Sequence, residues 1–237
     1  MIELEWAGES LTLLPERAVW WARRRTLLVA DLHLGKAAAF RFAGVPVPDG
    51  CGPADLKRLG GLVERFKTER LVILGDLLHA KAGRSVETLA SLAGWRARYE
   101  RLDVVLVRGN HDAKAGDPPA ELGFRVMDEP AAEGGDRPIM FTHYPECGAG
   151  SALGTFCGHL HPAVRLIGAV SSHRAPCFWV RPERLVLPAF GSFTGGALIV
   201  PREEDRVFAI GDGEVVEVRM AGGRRVRDGK MQAGVRE

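Results

Sequence analysis

Val104–Asp112 reads VVLVRGNHD, and the reading of this stretch decides the fold. The apolar run from Val104 to Val107, closed by Arg108, has the length and β-branched content of a buried strand. Gly109 lets the backbone turn sharply at its end, which sets Asn110, His111 and Asp112 at the strand's exit. That is where α/β proteins keep their chemistry.

The same grammar recurs on either side. Thr26–Ala30 runs into Asp31-Leu32-His33, Leu71–Leu74 into Gly75-Asp76, Ile139–Thr142 into His143, and Thr155–Cys157 into Gly158-His159-Leu160-His161. Together these are five apolar runs, each ending in side chains able to hold a metal ion.

Between the runs the spacing predicts helices. One is the Ala-rich Gly35–Phe42, closed by Gly44 and the extended Pro46-Val47-Pro48. Another carries Leu56, Leu59, Leu62, Val63 and Phe66 on a single face, and a third spans about Val86 to Tyr99. Leu11–Leu14 and Ala18–Trp21 read as an antiparallel entry to the sheet. Past His111, Pro118-Pro119 and Gly134-Gly135 punctuate a loop-rich stretch. From Val164 onward the segments are short and β-like: Val164–Ile167, Cys177–Val180, Leu185–Leu187, Ala197–Val200, Val207–Ile210 and Val215–Val218. A βαβ first half and a strand-rich second half predict two sheets packed face to face with helices outside. The candidate ligands would gather along one edge.

With 237 residues, 46% of them hydrophobic, the chain can bury a sizeable core. Because the ligand-bearing segments interleave from Asp31 to His161, one domain over residues 1–218 is expected. Residues 219–237 hold six Lys/Arg against two Asp/Glu, a local +4 that leaves −2 for the rest of a chain whose total is +2. This basic, Gly-rich tail is expected to be disordered. A net charge that small does not by itself argue for a nucleic-acid partner. Cys51, Cys147, Cys157 and Cys177 form no CxxC pair, the N-terminus lacks a basic leader, and no apolar stretch reaches membrane-spanning length. A soluble, reduced, cytoplasmic protein without a membrane partner is expected.

Imidazole nitrogens, carboxylates and an amide oxygen suit borderline divalent ions such as Mn, Fe or Zn better than Ca. One bridging aspartate can hold two such ions about 3.5 to 4 Å apart, which clamps the attacking and leaving oxygens of a phosphoryl centre. Phosphate ester hydrolysis is the natural use of such a pair.

The ordered series Asp31-x-His33, Gly75-Asp76, Gly109-Asn110-His111-Asp112, His143 and Gly158-His159-x-His161 resembles the calcineurin-like metallophosphoesterase superfamily, whose five motifs occur in this order. The resemblance implies an α/β fold, a four-layer α/β/β/α sandwich of two packed mixed sheets flanked by helices. It implies that Asp31, His33 and His161 hold one metal, that Asn110, His143 and His159 hold the other, and that Asp76 bridges them. His111 would touch the phosphate and protonate the leaving oxygen, with Asp112 orienting its ring and favouring the imidazolium. Two divalent ions, Mn first and Fe or Zn next, are the implied cofactors.

Finer features are similar to one bacterial branch, the ligase-associated DNA damage response endonucleases. These are DLHLGK at Asp31–Lys36, GDLLHA at Gly75–Ala80 and PAFGSFTGG at Pro188–Gly196. That branch implies a metal-dependent phosphodiesterase acting on DNA, on single strands or ends, in DNA repair, functionally associated with a DNA ligase and a helicase. The alternatives are a nucleotide or dinucleoside-polyphosphate phosphohydrolase and a non-catalytic scaffold of the same fold. Lys36, Arg41 and His79 are candidate substrate contacts, each also readable as an exposed or structural residue. His173 is expected in an exposed loop, while Trp95 and Trp20-Trp21 are expected in packing rather than base stacking.

Overall fold

The apolar runs fall on two sheets that share their inner faces. A computed structural model describes residues 1–47, 50–133, 138–147, 152–167 and 172–218; the tail at 219–237 and the Gly134-Gly135 break lie outside them. The first sheet contains β1 (Ile2–Trp6), β2 (Glu9–Leu14), β3 (Ala18–Trp21), β4 (Thr26–Val29), β5 (Arg70–Leu74), β6 (Asp103–Val107) and β7 (Arg125–Met127) in that spatial order. The strands β1 to β4 pair antiparallel, and β4 to β7 pair parallel. The helices α1 (Lys36–Phe42) and α2 (Cys51–Phe66) carry the chain from β4 to β5, and α3 (Val86–Arg98) carries it from β5 to β6.

Period-two alternation explains why the central strands are apolar throughout. Val72 and Leu74 of β5, and Val105 and Val107 of β6, point toward the second sheet. Their neighbours Leu71, Ile73, Val104 and Leu106 point the other way, against Leu56, Leu59, Leu62 and Val63 of α2 and Leu92 and Trp95 of α3. A strand covered on both faces has no place for a polar residue until it ends.

The second sheet contains β8 (Ala131–Glu133), β9 (Ile139–Phe141), β10 (Gly154–Cys157), β11 (Pro162–Ile167), β12 (Ser172–Val180), β13 (Arg184–Val186), β14 (Ala197–Leu198), β15 (Arg206–Gly211) and β16 (Glu214–Val218). Its parallel centre is β9-β10-β13, with antiparallel strands on either side. Phe156 of β10 fastens the two layers, its ring 5.0 Å from that of Trp6, 6.0 Å from Trp21 and 6.1 Å from Phe141. The expected pair of mixed sheets is therefore present. The helices cover the first sheet, and among the described residues no α-helix follows α4 (Asn110–Ala115).

One local reading changes. His173, expected in a loop, lies in β12 opposite Leu166, because β12 runs nine residues and pairs antiparallel with β11. The alternating IELEW segment at Ile2–Trp6, on which the sequence reading placed no element, is an edge strand whose Leu4 and Trp6 face the core.

Candidate metal centre

Every strand that ends in a candidate ligand ends at the same place. Asp31 follows β4, Asp76 follows β5, Asn110 and His111 follow β6, His143 follows β9, and His159 and His161 follow β10. Backbone hydrogen bonds tie these exits together: Asp31 N–H donates to Gly75 O at 3.1 Å, His33 N–H to Asp76 O at 2.8 Å, and Gly158 N–H to His143 O at 3.1 Å. The late PAFGSFTGG segment joins them, with Phe190 N–H donating to Ala30 O at 2.7 Å and Gly191 N–H to Asp31 O at 3.1 Å.

Strain marks the spot. Asp31, His33, Asp76, His159 and His161 all occupy the left-handed region, with φ of 55°, 49°, 54°, 68° and 46°. Ordinary side chains visit that region at a cost of about 1–3 kcal/mol each, and such residues cluster at functional sites. Gly75, itself at φ +80°, is obligatory for a second reason: a Cβ there would lie 2.1 Å from His143 Nδ1.

The side chains present lone pairs to one another. His143 Nδ1 lies 3.1 Å from the Leu74 carbonyl oxygen, which can only accept, so the ring proton sits on Nδ1 and Nε2 carries a lone pair. That Nε2 lies 3.0 Å from Asn110 Oδ1, 3.1 Å from His159 Nδ1 and 3.5 Å from Asp76 Oδ2. On the other side of Asp76, His33 Nε2 lies 3.7 Å from Asp76 Oδ2 and 3.4 Å from His161 Nε2, which is 3.3 Å from Asp31 Oδ1. Asp31, Asp76, His33 and His143 are buried. Buried carboxylates and ring nitrogens crowded this closely are unfavourable alone and favourable around a cation. The donor set fits two divalent ions, with Asp76 reaching both groups.

The titration behaviour agrees with a centre built for positive charge. Burial, reinforced by His161, pushes His33 down to about 2, so its imidazole is neutral. Burial also raises the Asp76 carboxyl to about 6, against the pull of His143 and with Asp31 adding to the rise. Burial and then His143 lower His159.

Of the expected substrate contacts, Lys36 opens α1 and is half-buried, its ammonium lowered by that burial and held up by Asp31 and Asp76. Arg41 lies a turn further along, donating from Nη1 to Val47 O at 3.3 Å, and is not part of the donor cluster. His79 is inside it, with Nδ1 3.3 Å from His33 Nδ1 and its ring stacked on His111 at 4.7 Å. Burial lowers His79 to about 4, with His111 and Lys36 adding to the effect.

Asp112 corrects an expectation. Its carboxylate accepts from Leu78 N–H at 2.9 Å and Gly109 N–H at 3.0 Å, and the His111 ring is oriented instead by the His79 carbonyl oxygen, 2.6 Å from Nδ1. Asp112 thus fixes the backbone of the turn, and its burial raises its pKa against those backbone bonds. Glu129 went unnoticed in the sequence; its Oε2 accepts from His143 N–H at 2.7 Å and Tyr144 N–H at 2.9 Å. Tyr144, beside His143 in sequence, packs its ring 4.4 Å from His159. Nothing local marks Glu129, because its partner lies fourteen residues away.

Paired mixed sheets whose strand ends converge on a two-cation donor set define a metal-dependent hydrolase of the phosphoesterase type. The chain belongs to the calcineurin-like phosphoesterase family, whose profile matches residues 24–176. It is similar to the crystal structure of Pseudomonas putida nuclease MPE, at 40% identity and a TM-score of 0.77 over 92% of this chain and 99% of that one. Yfce, a phosphoesterase from E. coli, is 17% identical, with a TM-score of 0.45 over 81% of this chain and 97% of its own. No curated protein matches the chain. Among the described residues no helix is long and apolar enough to cross a membrane.

Proposed function

We propose that this phosphoesterase is a two-metal phosphodiesterase that cuts DNA, acting on single strands or ends in DNA repair. The observation that carries the reading is the convergence of six other candidate ligands around Asp76, with His111 Nε2 4.0 Å from Asp76 Oδ2. The 40% identity to a nuclease over nearly the whole chain supports nucleic acid as the substrate. The ligase-associated resemblance extends the reading to a functional association with a DNA ligase and a helicase.

Asp31, His33 and His161 would hold one cation, Asn110, His143 and His159 the other, with Asp76 between them; Mn is the proposed ion. Cations held by these residues would supply charge for the phosphoryl oxygens and acidity for an attacking water. His111 donates from Nδ1 to the His79 carbonyl, which turns Nε2 toward the centre; as an imidazolium, with a second proton on Nε2, it would deliver that proton to the leaving oxygen and be left neutral. Lys36 adds positive charge at the edge of the site for a phosphate oxygen that the cations do not reach.

The test is hydrolysis of bis-p-nitrophenyl phosphate and of single-stranded oligonucleotides by the Mn-loaded protein. Both activities should fall by more than about 100-fold in Asp76→Ala, beyond what losing an outer-shell partner of a metal ligand does. A metal-loaded protein that hydrolyses no phosphodiester overturns the proposal. A preference of orders of magnitude for soluble nucleotides or dinucleoside polyphosphates over oligonucleotides would replace it with a nucleotide phosphohydrolase.

A further inference from the structure

Beside the donor cluster lies a cavity of about 430 Å³, enclosed by α1, the first turns of α2 and α3, and the loop that follows Phe190. Leu34 and Leu56 form apolar walls, Phe193 and Thr194 form another side, and Lys36 and Ser85 supply polar groups. We propose that this cavity receives the nucleobase adjoining the scissile phosphate, an inference that rests on the phosphodiesterase reading above.

Continuity is the first argument. His33 and Lys36 line the cavity, His33 also stands in the donor cluster, and Lys36 is close enough to Asp31 and Asp76 for their charges to act on it. A phosphodiester held at the donor cluster therefore has a neighbour of nucleoside size at this opening. The cavity falls within the roughly 300–1,000 Å³ of small-molecule sites, far more room than a phosphate needs.

The lining chemistry suits a base rather than a second anion. Leu34, Ala37, Ala38 and Leu56 give it apolar walls, and the cations Lys36 and Arg41 in the lining are offset by Asp55 and Glu87. Phe193 stands edge-on to Phe40, with ring centroids 5.7 Å apart at 85°, and Phe40 lies 6.4 Å from the His79 ring. An aromatic braced in this way offers a stacking surface that tolerates any base. A base enters such a cavity only when it is unstacked, which favours single strands over duplex.

The test compares three proteins on three substrates: the wild type, Phe193→Ala, and Ala38→Trp, which fills the cavity from the α1 wall. The substrates are bis-p-nitrophenyl phosphate, a single-stranded oligonucleotide, and the same oligonucleotide carrying an abasic residue beside the cut. The variants should lose about tenfold or more in kcat/KM on the intact oligonucleotide and several-fold less on the small diester, whose single nitrophenyl rings offer less stacking area than a base and no base edge. The abasic substrate should be cut poorly by the wild type, and Phe193→Ala should show no further loss on it. Phe193→Tyr should restore cleavage, and oligonucleotide binding in chelator, followed by fluorescence anisotropy, should weaken in parallel in Phe193→Ala. Variants that cut the intact oligonucleotide at the wild-type rate, or a wild type indifferent to the missing base, overturn the inference and leave the phosphodiesterase reading standing. A wild type that hydrolyses none of the three substrates overturns both.

Discussion

Asp76 stands between the two halves of the donor set, and its protonation sets how strongly the protein binds cations. Burial pushes its carboxyl up to about 6 from the usual 3.8. Between those values the folded chain holds a proton that the unfolded chain has released, so this group lowers stability as pH rises through that window. A cation removes the penalty but must displace the proton below pH 6. Mn should therefore raise the melting temperature more at pH 7.5 than at pH 5, read by thermal denaturation with and without chelator; equal shifts would argue against Asp76 as a ligand. His111 makes a separate prediction. His111→Asn should keep cation binding, measured by calorimetry, while slowing diesters with alkoxide leaving groups by about 10²- to 10⁴-fold, the usual range for a positioned proton donor. Esters of p-nitrophenol should be affected far less, because that leaving group needs no proton.

At the level of elements, the strand-to-turn junctions carry the chemistry. The β5 exit works because Gly75 has no side chain: its φ is +80° and its missing Cβ leaves room for the His143 ring. Gly75→Ala should cost about 1–2 kcal/mol for the left-handed backbone alone. It should also weaken cation binding by displacing His143, which titration of the chelated variant with Mn would report. Gly94 in α3 is the control, since an added methyl there meets nothing within 4 Å. Gly94→Ala should stabilise by about 0.5–1 kcal/mol through helix propensity, with activity unchanged. The helices α1 to α3 were legible in the chain because their apolar spacing is local; α1 and α3 begin and end within a residue or so of expectation, α2 starts earlier, at Cys51, and the short α4, which has no apolar stripe, was not read. The β12 strand was only partly legible, because Ser172–Arg174 is exposed and polar and is held in the sheet by pairing with β11.

Across the whole molecule, the two sheets have to stay in register for the site to exist. Asp31, Asp76 and Asn110 come from the first sheet, His143, His159 and His161 from the second, and Phe156 is fully buried at the contact between them. Phe156→Ala should cost about 3–5 kcal/mol, as large-to-small core substitutions do. Denaturant melts would measure that loss, and cation affinity should fall with it, because the cavity loosens one half of the donor set against the other.

The chain by itself determined the alternation of strand and helix, the apolar core and the identity of the candidate ligands, since hydrophobic period and residue chemistry are written locally. Only the tertiary structure decided which partner each group meets. It turned Asp112 toward backbone N–H groups, gave the orientation of His111 to the His79 carbonyl, and brought Glu129 under His143. It also opened the cavity beside Lys36. Those outcomes depend on contacts between segments far apart in sequence, which form only when two sheets pack and their strand ends are forced into one small volume.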